Sequence, residues 1–290
     1  MCCSLYGGEA AARFYQHYQD CVVAKRIGWL LEVERIVVRG IAAVYAIYLL
    51  LPILLLSIGS VGELWMNSLL PSGITVQWYV DIWLDSSFRS AFTTSLVVAL
   101  SACAINTILA LPLAYSLYHK AGRGGSAAAK IVSMMPIVVP TITLGFGYII
   151  VFNTDVFPWL GTLPLLIVVH AVHTLPYLTN TLLSDLRHSD LATLERAAAT
   201  LGATELQQFF GIAIPNLRKS LLSGLMMVSA ISVGEFGLSN LLASFQNRTY
   251  PVVLWQAFYG TTGFACAATV ILLVLASTAA FVSSTAIKKS

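Results

Sequence analysis

Residues 92–117 read FTTSLVVALSACAINTILALPLAYSL, 26 positions without one charged side chain. A helix rises about 1.5 Å per residue, so about 20 apolar residues cross the hydrocarbon core of a bilayer. Inside lipid the backbone has no water to bond to, and a lone segment satisfies its N–H and C=O groups only as a helix. Five further windows share this character, at roughly 38–59, 131–152, 163–184, 220–243 and 262–284. The pattern predicts an all-α, polytopic membrane protein with six transmembrane helices.

Composition points the same way. Of 290 residues, 58% are apolar and 10% charged, with a mean hydropathy of +0.81. A soluble domain carries about 25% charged residues, so too few polar groups remain here to face water. The net charge of +3 does not suggest nucleic acid as a partner. The five cysteines, Cys2, Cys3, Cys21, Cys103 and Cys266, have no metal-ligand spacing, and their odd number argues for free thiols. No metal site is expected.

The basic residues sort by connection. Arg13, Lys25, Arg26, Arg35 and Arg39 open the chain. Lys120, Arg123 and Lys130 follow the second window, Arg187, Arg196, Arg218 and Lys219 follow the fourth, and Lys288 and Lys289 end the chain. The alternate connections hold only Arg89 and Arg248. The positive-inside rule then places both termini in the cytoplasm. Residues 1–36 are expected to form a cytoplasmic arm without a cleavable signal, and residues 37–290 the transmembrane domain. The outer connections carry Trp65, Trp78, Tyr79 and Trp83, then Tyr250, Trp255 and Tyr259, as befits the headgroup level.

The loop 187–219 is the longest cytoplasmic connection. Within it, residues 189–215 read SDLATLERAAATLGATELQQFFGIAIP. Leu194, Ala197, Ala198 and Leu201 recur on one helical face. Asp190 stands where an N-cap belongs, and Gly202 where a left-handed residue ends a helix. Thr204 and Gln207 form a capping-box pattern that starts another. Leu206, Phe209, Phe210 and Ala213 make its apolar face, and Pro215 is expected to stop or turn the chain. The result is a helix–glycine–helix knob with small apolar and aromatic residues on show, the usual mark of an interaction site.

This stretch resembles the signature E-A-A-x3-G-x9-I-x-L-P of the MetI-type permeases of ABC importers. Ala197, Ala198, Gly202, Ile212, Ile214 and Pro215 stand at the matching positions. Arg196 occupies the signature Glu position, with Glu195 one residue earlier, and Ile214 replaces the signature Leu. Similarity extends over roughly residues 70–285, through GITVQWY, MMPIVVPTITLGFGYII and GEFG. The resemblance implies a MetI-like permease fold in a bacterial inner membrane. It implies that the loop docks into a cytoplasmic ATPase dimer through Glu195, Arg196, Ala197, Ala198, Gly202, Ala203, Ile212, Ile214 and Pro215. It also implies a second permease, identical or related, and an extracytoplasmic solute-binding protein. Solutes handled by the most similar subgroup include ferric iron, thiamine, polyamines, phosphonates and oxyanions. The sequence has no Gly-Lys pair, hence no phosphate-binding loop; ATP would be used by the partner, and no cofactor is expected on this chain.

Polar residues inside the windows are the candidates for a translocation path: Glu235, His173, Tyr177, Asn180, Ser232 and Asn240. A carboxylate at the bilayer centre costs about 2.5–3.5 kcal/mol, so Glu235 must face water or protein. It lines the path or the partner permease, or it is a structural carboxylate bonded to neighbouring helices. His170, His173 and Tyr177 share a face of the fourth window. A metal or proton site and interhelical hydrogen bonding both use such a row, the second more commonly. A self-sufficient secondary transporter, with Glu235 and the histidines as a proton relay, stands as the alternative. An intramembrane enzyme is a third class, without any recognisable catalytic pair.

Overall fold

A computed structural model describes residues 35–63, 65, 71–120 and 134–289, the last of these with side chains through residue 278. The expected arm 1–36 lies outside the described residues apart from Arg35 and Ile36, as do Cys2, Cys3 and Cys21. Cys103 and Cys266 are free thiols. The chain divides between Leu56 and Ser57 into two compact units. The first contributes most of helix α1 (Arg35–Val61), which is long and apolar enough to cross a membrane. On it, Val44 and Tyr48 are exposed.

The second unit is helical. Its elements are α2 (Gln77–Leu84), α3 (Ser86–His119), α4 (Thr141–Phe152), α5 (Leu163–His188), α6 (Leu191–Thr200) and α7 (Glu205–Gln208). Then follow α8 (Arg218–Gly234), α9 (Gly237–Leu242), α10 (Tyr250–Ala257) and α11 (Thr262–Lys289). Among the described residues the only pairing of β type is three isolated bridges. Besides α1, helices α3 and α5 are long and apolar enough to span a bilayer, while α4 is a shorter apolar helix and residues 262–278 of α11 are apolar too.

Helices α3, α5 and α8 pack on one another and form the centre. Along α3 the buried positions recur every three or four residues, and most are small, Ala91, Ser95, Ala99, Ala102, Ala110 and Ala114 among them. Lipid tails are as apolar as leucine, so helices in a bilayer gain by close approach of small residues. Gly224 of α8 does the same against α5: a Cβ there would lie 2.5 Å from Leu178 Cδ1. Asp85 starts α3 by accepting hydrogen bonds from the Ser87 and Phe88 N–H groups.

Two of the expected windows are not single helices. In 131–152, residues 134–138 are helical, the helix stops at Val139, and α4 begins after Pro140. Proline disfavours the helical conformation in the residue before it, which accounts for the stop. In 220–243 the chain breaks at Glu235 and Phe236, between α8 and α9. No proline marks that break. Glu235 is extended (φ −73°, ψ 110°), and its own carboxylate takes over the backbone group that the break releases.

Candidate functional site

The loop between α5 and α8 folds as a knob. Helix α6 closes on Gly202, whose φ is +85°. The Gly202 N–H donates to Ala199 C=O and the Ala203 N–H to Ala198 C=O, each at 3.0 Å. This is the glycine C-cap in which two orphan carbonyls are satisfied at once. Thr204 then starts α7 with a complete capping box: Thr204 N–H donates to Gln207 Oε1 at 2.8 Å, and Gln207 N–H to Thr204 Oγ1 at 3.4 Å. Asp190 occupies the cap position of α6, yet its side chain makes no capping bond.

After α7 the chain widens into a π-helical turn, Phe209–Ala213, and continues helically over Ile214–Asn216. Pro215 therefore does not stop the chain; it sits in the first turn of that segment, and α8 follows after Leu217. A proline has no N–H to return to the carbonyl four residues back. A wide turn just before it absorbs the mismatch.

The knob shows part of the faces that periodicity marks as apolar, with Ala198 and Phe209 half-buried and Ala213 buried. Leu194 and Ala197 are exposed, Leu201 is 89% exposed, Leu206 70% and Phe210 64%. Arg196 is exposed too, its guanidinium folded back on the Ala192 carbonyl and the Thr193 hydroxyl. What α6 buries is Leu191 and Glu195, one turn apart. Glu195 is 6% exposed. Its Oε1 accepts a 2.7 Å hydrogen bond from the Tyr115 hydroxyl and lies 3.3 Å from His119 Nε2. Hydrogen bonds to a charged group are worth about 1.5–3 kcal/mol each. Of the residues gathered here, Tyr115 and His119 are invisible to a motif search of the loop. Their spacing, i and i+4 at the end of α3, is the only signal in the sequence.

The second cluster surrounds the break. Glu235 Oε1 accepts from the Leu238 N–H at 2.9 Å, capping α9 where its N-terminal dipole favours an anion. Glu235 Oε2 lies 3.7 Å from His173 Nε2. His173 stacks edge-on with Tyr177, and its Nδ1 is buried with no hydrogen-bond partner among the described residues. His170, 1% exposed, spans the break: Nδ1 is 2.9 Å from Ser232 Oγ and Nε2 3.0 Å from Ser239 Oγ. A neutral imidazole donates from one nitrogen and accepts at the other, and a serine hydroxyl serves either need. Behind it, Asn106 Nδ2 donates to Thr174 Oγ1 at 2.8 Å, and Thr174 donates to the His170 carbonyl at 2.7 Å.

Of the six candidates in the spans, the structure thus brings together Glu235, His173 and Tyr177. Ser232 belongs with His170, Asn180 donates to Met134 Sδ, and Asn240 is exposed. A cavity of about 290 Å³ opens beside His173, walled by Tyr148, Val172 and Leu238. A wide polar hollow of about 550 Å³ opens at Asn180, Ser184, Asp185 and His188. Among the described residues no group of three or more His, Cys, Asp or Glu side chains could hold a metal ion.

Residues 106–290 match the family described as binding-protein-dependent transport system inner membrane component. The molybdate/tungstate transport system permease protein WtpB of Pyrococcus abyssi is 29% identical over 175 residues, which are 60% of this chain and 68% of that protein. The putrescine transport system permease protein PotI of Escherichia coli is 24% identical over 226 residues, 77% of this chain and 78% of that one. Among solved structures, a bacterial alginate ABC transporter in complex with its alginate pentasaccharide-bound periplasmic protein superposes with a TM-score of 0.68. The match covers 88% of this chain and 92% of that one at 16% identity, a likeness of fold.

Proposed function

Because this chain belongs to the family of binding-protein-dependent transport system inner membrane components, we propose that it is a permease subunit of an ABC importer. In this reading the chain sits in a bacterial inner membrane with six spans and both termini in the cytoplasm. It forms, with a second permease, the path for a small polar or charged solute handed over by an extracytoplasmic binding protein. A separate pair of ATPase subunits drives it. The observation that carries the reading is the knob between α5 and α8, where Leu194, Ala197, Leu201, Leu206 and Phe210 stand exposed around a glycine turn. A surface of that kind suits insertion into a groove on another protein.

Ala197, Ala198, Gly202 and Ala203 are the proposed centre of the ATPase contact, with Arg196, Ile212, Ile214 and Pro215 around them. Small side chains there let two backbones approach closely. Glu235, His173, Tyr177 and Asn180 are proposed to face the path, with Ser232 holding the break through His170 and Asn240 beyond it. The two relatives above are named for solutes of opposite charge, an oxyanion and a diamine. Solute choice is therefore assigned to the binding protein rather than to these residues.

The test is uptake into proteoliposomes holding the complete importer, with labelled molybdate and labelled putrescine as the first probes. Accumulation that needs ATP on the ATPase side and the binding protein on the other is the expected result. Accumulation by this chain without an ATPase, driven by a proton gradient, would return the secondary transporter.

A further inference from the structure

Glu195 is the one charged side chain that α6 buries, and its burial points away from the surface on which an ATPase would sit. We infer that Glu195, clasped by Tyr115 and His119, is a positioning residue that locks α6 to α3, so that the knob and the long helix move as one piece. The inference rests on the knob being the ATPase contact and names how force leaves it.

The footing of α6 on its own chain is small. Leu191 and Glu195 are its only buried residues. Leu191 is fully buried in a cluster with Leu117, Leu186 and Leu217. Apolar contact is non-directional and permits sliding. The carboxylate is directional. Tyr115 and His119 stand one turn apart on α3, and both reach the same oxygen, Oε1. The Tyr115 ring also leans on Phe209, with centroids 4.9 Å apart. One side chain of α3 therefore holds both legs of the knob, α6 through Glu195 and the segment after α7 through Phe209.

The energetics make this a lock. A carboxylate with this little exposure is costly to hold without hydrogen-bond partners. Were α6 to shift without α3, Glu195 would be left buried and unpaired, which costs far more than a lost surface contact. Separate motion is thereby disfavoured, and joint motion is not. Helix α3 runs unbroken from Ser86 to His119 and its far end packs against α2 and α10. A displacement of the knob is thus delivered along the whole helix to the opposite end of the bundle. The His119 side chain is 44% exposed, so its contact is screened and worth little, and the Tyr115–Glu195 hydrogen bond carries the lock.

The experiment uses the assembled importer with spin labels at Ala192 and Ser87, exposed positions on α6 outside the proposed ATPase contact and at the far end of α3. The distance between them is measured without nucleotide and after trapping with ATP and vanadate. In the native chain the distance distribution is expected to be the same in both states. In Tyr115→Phe and in Glu195→Gln it should broaden and shift on trapping, while the ATPase stays bound. Tyr115→Phe keeps the ring against Phe209, so it carries the test if Glu195→Gln fails to insert. A native distance that changes on trapping overturns the proposal, as do variants indistinguishable from native. If the native chain binds no ATPase at all, the reading of the knob fails first, and the lock has no load to carry.

Discussion

His170 shows how much one side chain can close. Both of its ring nitrogens meet serine hydroxyls on the two sides of the break in the fifth apolar window, Ser232 and Ser239. His170→Leu removes both contacts and strands two buried hydroxyls, so it should destabilise the protein by about 2–4 kcal/mol. His173→Leu loses one contact of 3.7 Å and should cost less. Thermal melts of the detergent-solubilised protein check this order, and equal melting points would contradict it. The row of His170, His173 and Tyr177 is legible in sequence, since one helical face carries all three. That Ser239 completes the set is not, because its register depends on where the chain breaks. The burial of Glu195 is illegible in sequence for a related reason. Periodicity finds the apolar face of α6, and in an ordinary surface helix that face turns inward. Here Leu194 and Ala197 stay outside, and the charged residue is buried against Tyr115.

At the scale of elements, glycine and capping-box signals are read well, while prolines and carboxylate caps are read unevenly, since Pro215, expected to stop or turn the chain, sits inside a helical segment. Gly202 and the Thr204–Gln207 box can be placed from sequence alone, since each meets a backbone need that few residues satisfy. Pro140 likewise announces the break before α4. The break at Glu235 carries no such sign: a glutamate within an apolar run reads as a residue in a helix, and only the structure shows its carboxylate capping α9. The glycines of the knob allow a clean comparison. Nothing lies within 4 Å of a Cβ placed on Gly202 or on Gly211, but only Gly202 has a positive φ. Gly202→Ala is therefore strained by about 1–2 kcal/mol through backbone conformation alone, whereas Gly211→Ala meets no obstacle. ATPase co-purification should fall for the first and hold for the second. The opposite order would mean that the left-handed turn does not shape the docking surface.

At the scale of the whole molecule, the apolar windows outline a polytopic helical membrane protein and the loop signature resembles that of MetI-type permeases; the matching family and fold agree with the permease. Windows starting near residues 38, 92 and 163 return as the three helices long and apolar enough to span a bilayer. The two windows that became broken helices are those where proline or a capping carboxylate interrupts a run that hydropathy averages over, and the window 262–284 lies within the single helix α11. The account's central claim is that the knob from Leu191 to Pro215 is the handle by which an ATPase works this chain. It is tested most directly by placing a cysteine at Ala197, after replacing the five native cysteines, and cross-linking in intact cells that also produce the ATPase. The account predicts an adduct of permease and ATPase that Gly202→Asp abolishes while the chain still inserts. A chain that is inserted and labelled at Ala197, yet never captures the ATPase, would contradict it.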